Sequence, residues 1–273
     1  MDGLMVVSLD GSAAGSVDGG VDGSDGEDRD DGLRAGSGAA EVRVLDADAI
    51  AAYRAGDHAL ARARWDELLR TADLPRAERS RLYYNAGNAA ARGGGWLEAV
   101  AYYTEALDGT PRDGDLWVNL EYARREAGLD PADRGDLVAT LSRLVSAWTV
   151  AEARWIALGG LLLLAAGLAH EALRGGRGGR TLAWFALGSA LLSCAPIARH
   201  ALADDSARVF IIAERGVALR SEPRADSQVL ERAEAGTYQR ELDRLGDWVA
   251  LGTPGGAKAW APVTSVLSLP SAP

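Results

Sequence analysis

The chain has 273 residues, 25% of them charged, with a formal net charge of -10 and a single cysteine. That length exceeds one minimal domain and accommodates two small ones plus linkers. The lone Cys194 excludes an internal disulfide framework and a thiolate metal cluster, and His58, His170 and His200 are too scattered to serve as metal ligands or a catalytic base.

Acid is concentrated at the start. Residues 1–44 form a Gly/Ser/Ala-rich segment, and within residues 1–40 nine acidic residues stand against Arg29 and Arg34. So little apolar area cannot offset the entropy of ordering, which predicts a disordered acidic tail. The remainder is close to neutral, so no nucleic-acid partner is expected.

Residues 45–130 read as helices punctuated by Gly and Pro. Ala49, Ala52 and Tyr53 share one face of a first helix that stops near Gly56, and Ala61, Trp65 and Leu68 repeat that spacing on a second. TADLPRAERS (71–80) turns into a third helix, where Tyr83, Ala86, Gly87 and Ala90 align. GGG at 93–95 ends it. Trp96, Ala99, Tyr103 and Ala106 mark a fourth helix, followed by Pro111. Small residues at Gly87 and Ala99 let antiparallel helices approach, while Tyr83, Tyr103 and Trp96 fill the space around them. The glycines of GNAAARGGG do not make a phosphate loop, since no Lys-Ser/Thr pair follows and no strand precedes.

With Tyr83, Gly87, Ala99, Tyr103, Ala106 and Pro111 in these places, residues 80–113 resemble a tetratricopeptide repeat. Residues 47–73 resemble a degenerate copy, and DGDLWVNLEYARREAGL (113–129) the opening of a capping unit. Asn85, Asn88 and Asn119 lie on the first helix of their pairs. Two readings of them stand side by side. They hold the main chain of a partner in the concave groove, using the donor and acceptor of each amide, or they are solvent-facing or inter-helix asparagines.

Residues 131–147 predict an amphipathic linker helix with Leu137, Leu141, Leu144 and Val145 on one side. Two apolar runs follow, expected as transmembrane helices over 152–173 and 181–202. The loop between them, 174–180, carries Arg174, Arg177 and Arg180, so the positive-inside rule makes it cytoplasmic and both flanking domains extracytoplasmic. An exported N-terminal domain requires an export signal, and MDGLMVVSLDGS has neither a basic start nor an adequate apolar stretch. Three readings follow, a translation start other than Met1, a weak signal, or an inverted topology, and the first is the expectation.

From 208 to 269 the texture becomes short β-type runs between turn residues. Strands are predicted at 209–213, 217–220, 228–232, 237–242, 247–251 and 258–261, with Trp248 and Trp260 as core anchors. VALRSEP, in which Arg220 and Pro223 open a turn, together with VLERAEAGT, GDWVAL and AKAWAPVTSV, resembles a bacterial SH3 (SH3b) domain. Lys258 and Ala259 stand before Trp260 where that family usually has a glycine. Such domains often bind peptide or peptidoglycan.

The resulting fold class is multidomain: all-α tetratricopeptide helix-pair repeats, a transmembrane helical hairpin and a small all-β SH3-like barrel. In that order the domains resemble BatE-type proteins of the bacterial aerotolerance (Bat) family over roughly residues 45–269. The resemblance implies a multi-pass protein of the bacterial inner membrane. It would work beside von Willebrand A-domain membrane proteins and a MoxR-type AAA+ ATPase in envelope or oxidative-stress tolerance. No cofactor is expected. No histidine lies in the repeat core or the β region to activate a serine, so a non-enzymatic scaffold is expected. A receptor that senses peptidoglycan is the alternative, with an envelope enzyme ranked behind it.

Overall fold

The computed structural model describes residues 28–71, 73–131, 150–174, 184–185, 187–190, 193, 208–253 and 255–269. Two compact units divide the chain. Met1–Pro131 joins Ser206–Pro273 in the first, and Ala132–Asp205 forms the second.

The first unit opens with five helices: α1 (Asp28–Arg54), α2 (His58–Thr71), α3 (Arg76–Arg92), α4 (Trp96–Gly109) and α5 (Gly114–Glu126). Each packs chiefly on its neighbour in sequence. Gly56 and Gly94 supply the left-handed turns at φ 86° and 81°, a conformation that glycine adopts at least cost. Asp113 caps α5 by accepting from the backbone N–H groups of Asp115 and Leu116. Ala49, Ala61, Trp65, Tyr83, Ala99, Tyr103 and Ala106 are all buried in one apolar core. At Gly87 a Cβ would lie 2.6 Å from the Tyr103 ring, so glycine sets the approach of α3 to α4.

One expectation is corrected here. The tail predicted to be disordered through residue 44 is helical from Asp28 onward. Val42 and Leu45 pack against the core and anchor the helix. Once a packed turn exists, each added residue gains a hydrogen bond without a new nucleation cost. Residues 1–27 fall outside the described residues, as does nearly all of the predicted linker helix 131–147.

The same unit contains a separate antiparallel sheet domain. Its strands are β1 (Arg208–Ile211), β2 (Val217–Arg220), β3 (Val229–Ala233), β4 (Tyr238–Leu245), β5 (Trp248–Gly252), β6 (Lys258–Pro262) and β7 (Val266–Ser268). Their order is β3-β2-β6-β5-β4-β1-β7. β7, which pairs with β1, had no counterpart in the sequence reading.

The tryptophans divide: Trp260 is buried, at 8% exposure, while Trp248 is half-buried. Period-2 alternation turns Val249, Leu251, Ala259 and Ala261 into the core of the sheet domain, so Trp248 and Trp260 point to the opposite face. Trp260 is covered there by Lys258, whose Nζ sits 4.5 Å from the ring centroid. The core anchors are Val209, Ile211, Leu219, Val249 and Leu251.

In the second unit α6 (Val150–Arg174) contains a stretch, Glu152–His170, long and apolar enough to cross a membrane. Ala153, Gly160 and Gly167 are its buried positions, seven residues apart on one face, while Trp155, Leu161, Leu162 and Leu168 are exposed. Of the predicted second span, 181–202, residues 184–185, 187–190 and 193 are described and helical. Ser189 Oγ donates to the Ile156 carbonyl at 2.5 Å. Within the predicted loop 174–180, Arg174 closes α6 and residues 175–180 lie outside the described residues.

Candidate partner-binding site

The three asparagines singled out above are all buried: Asn85 and Asn119 are 1% exposed and Asn88 0%. Asn85 and Asn88 stand three apart on α3 and so share a face. Two of the three amides bridge helices. Tyr103 Oη, from α4, donates to Asn88 Oδ1 at 2.8 Å. Asn119 Nδ2, from α5, donates to Tyr84 Oη of α3 at 3.1 Å. The Tyr84 and Tyr103 rings tilt against each other with centroids 6.0 Å apart. Asn88 and Asn119 therefore sit in a polar seam joining α3, α4 and α5.

That seam is incompletely satisfied. Asn85 Oδ1 and Asn88 Nδ2 are buried without a hydrogen-bond partner, as is Tyr53 Oη on α1. His58 Nδ1 and Arg81 Nη1 complete the set of such atoms among the described residues. A buried unmet donor or acceptor costs about 1–3 kcal/mol. Asn85 Oδ1 is an acceptor and Asn88 Nδ2 a donor on one face of α3, both buried. Burial raises the Tyr103 hydroxyl far above its ordinary value, and raises Tyr53 against the opposing effect of Arg92. Both stay neutral, so the seam can orient polar groups but has no acid or base to offer.

Around the seam the helices are clasped by carboxylates that the sequence reading did not single out. Asp46 of α1 accepts from Trp65 Nε1 of α2 at 2.8 Å and from Arg81 of α3 at 2.7 Å. Asp66 of α2 accepts from Tyr102 Oη of α4 at 2.7 Å. Desolvation raises the Asp66 carboxyl above its ordinary value. Pro111 follows α4, and its carbonyl accepts from Trp117 Nε1.

In the sheet domain, Arg220 donates to the Ser227 carbonyl at 2.7 Å and so closes the turn that contains Pro223. Ser227 Oγ in turn bonds the carbonyls of Glu222 and Arg224. Arg220 and Pro223 thus shape a loop, apart from the asparagine seam. Among the described residues no group of three or more His, Cys, Asp or Glu side chains could hold a metal ion, which is consistent with a structural or adaptor-type protein. No family model, curated protein or solved structure matches the chain.

Proposed function

We propose that this protein is a non-enzymatic, membrane-anchored scaffold whose helical pairs act as tetratricopeptide repeats holding an extended partner segment. The observation that carries the reading is the unmet pair Asn85 Oδ1 and Asn88 Nδ2. A partner main chain that reaches them supplies a donor and an acceptor together, recovering part of the burial cost. In this reading the sheet domain is SH3b-like and takes a second peptide or cell-wall ligand. By resemblance to BatE-type proteins, the partners are von Willebrand A-domain membrane proteins working with a MoxR-type AAA+ ATPase in aerotolerance.

Connectivity is what supports the membrane topology in this reading. Both flanks of 132–205 belong to one compact unit, and a docked unit lies on one side of a bilayer. A chain that leaves it and returns crosses an even number of times. This supports pairing Glu152–His170 with a second span at 181–202, the basic loop 174–180 cytoplasmic and both domains outside.

Affinity capture of the full chain from solubilised bacterial membranes tests the scaffold, with Asn85→Ala/Asn88→Ala in parallel and helicity checked by circular dichroism. Recovery of a von Willebrand A-domain protein, lost in the folded double variant, is expected. Equal recovery by both chains would place recognition elsewhere.

A further inference from the structure

The outer face of the sheet domain carries a trough already filled by one of the domain's own side chains. Parity defines the face. On β5 and β6, Val249, Leu251, Ala259 and Ala261 enter the core, so Ala250 and Gly252, with Lys258 and Trp260 beside them, point away from it. Ala250 stands opposite Asp243 of β4 on one side and Trp260 of β6 on the other, and Gly252 stands opposite Lys258. Two small residues on the middle strand therefore leave a channel across it, walled by Asp243 and Trp260.

Lys258 fills that channel. Its Nζ lies 2.8 Å from Asp243 Oδ2 and 4.5 Å from the Trp260 ring centroid. Because β5 separates β4 from β6, the side chain must cross β5 to reach the carboxylate. That crossing accounts for the low exposure of Trp260 and Ala250, 8% and 0%, on a face turned from the core. The hydrogen bond from Lys258 holds the Asp243 carboxyl below its ordinary range, so it is a carboxylate there. Arg220, opposite Trp260 on β2, is committed to the Ser227 carbonyl. Lys258 is also the only lysine among the chain's 29 basic residues. A guanidinium is a rigid planar fork, whereas an ammonium is a compact charge on a flexible four-carbon stem. The channel holds the one side chain of this protein with the second shape.

We propose that this trough is a binding site for the lysine side chain of a partner peptide, which enters by displacing Lys258. The proposal rests on the reading of the sheet domain as a peptide-binding module and names the chemistry of its ligand. A tryptophan face attracts an ammonium and Asp243 supplies the countercharge, so the place for the incoming group is the one Lys258 now occupies. The occupant is easily moved. The Lys258 and Asp243 side chains are 43% and 55% exposed, and ion pairs so open to water contribute little. Exchange replaces one ammonium by another and returns Lys258 to solvent, leaving the partner's remaining contacts to favour the bound form. An uncharged side chain of equal length gains neither contact with Asp243 nor attraction to the ring.

The probe is a capped Ala-Lys-Ala peptide with isotope-labelled methyl groups on its ε-nitrogen, which keep the charge. It is titrated with the full chain in micelles and followed by NMR, because methyl groups seated over an indole ring move upfield. A saturable upfield shift is expected with the wild type. Lys258→Ala, which empties the trough, should bind several-fold more tightly, and Asp243→Asn in that background should weaken binding several-fold. Trp260→Leu should abolish the shift. The same peptide with norleucine in place of lysine should not compete. A Lys258→Ala chain that binds no better than the wild type overturns the proposal, as does competition by the norleucine peptide. Asp243 is a surface residue, so undiminished binding by Asp243→Asn overturns it even where Trp260→Leu fails to fold. Soluble peptidoglycan fragments that displace the probe better than the unlabelled lysine peptide would overturn the protein partner in favour of the cell wall. Probe binding by a chain that recovers no peptide ligand would leave this site standing and sink the module reading. Ligand recovery unchanged by Asp243→Asn would sink this site alone.

Discussion

The two units bury opposite kinds of side chain. In the first, the largest fully buried groups are Trp65, Tyr102, Tyr103 and Phe210. In the second, Ala153, Gly160, Gly167 and Ser193 are buried, while Trp155, Leu161, Leu162, Trp184 and Phe185 are 61–73% exposed. Water drives large apolar groups inward, because removing their surface from it is favourable. Hydrocarbon exerts no such drive, so helices associate through small residues and the hydroxyls that bridge them. Ser189 bonded to the Ile156 carbonyl is a bond of that kind. One chain thus carries two packing rules, and the second is consistent with membrane association.

The largest test of this contrast is Trp65→Ala against Leu162→Ala. Trp65 is fully buried and its indole nitrogen holds Asp46. Its loss should cost about 3–5 kcal/mol, seen as a lowered urea midpoint for the helical signal in micelles. Leu162 projects outward, so its truncation should stay within about 0.5 kcal/mol. Equal costs would mean that one rule governs both units. Next in size is Gly160→Leu, which should cost about 1–3 kcal/mol by overpacking a small-residue face. Disulfide cross-linking between Ile156→Cys and Ser189→Cys, with Cys194→Ser, should then fall several-fold. Cross-linking that persists at the parental rate would show that Gly160 does not set the helix approach.

Local rules made the helical region legible. Apolar spacing at 3–4 residues marked α2 to α4, and Gly56 and the 93–95 glycines marked their ends, because these depend on neighbours in sequence. Trp248 is half-buried and Trp260 is buried on the face opposite Val249 and Leu251, a placement not foreseen because size was read without parity. Alternation along β5 and β6 sends their Val, Leu and Ala inward, and a one-residue offset reverses the face. The two-sided burial of β1, with Val209 and Ile211 in the sheet core and Phe210 in the helical core, was missed although its signal was present: VFII at 209–212 has no polar alternate, the mark of a strand buried on both sides. Ala101 and Tyr238, whose hydroxyl donates to the Ala101 carbonyl, lie far apart in sequence, and no local pattern announces such a pair. The asparagines stood out by residue type, yet their burial depends on the packing of α3, α4 and α5.

The smallest expected effect concerns that polar seam, where the packing rule of the first unit is least well obeyed. Tyr103→Phe keeps the ring against Gly87 and deletes the hydroxyl that donates to Asn88 Oδ1. Asn88, at 0% exposure with its Nδ2 already unpartnered, would be left with both ends of its amide unmet. The cost should be about 1 kcal/mol, since removing one member of a buried pair strands the other. Adding Asn88→Leu removes the stranded amide as well, and an apolar pair of similar shape can be nearly neutral. The double variant should therefore recover most of the lost thermal stability while abolishing capture of a partner that needs Asn88. A silent Tyr103→Phe would mean the hydroxyl contributes nothing to the seam. A double variant no better than the single would mean the loss arose from packing rather than from the unmet amide. Recovered stability with lost capture would instead show that Asn88 is kept polar for a partner, at the expense of the fold.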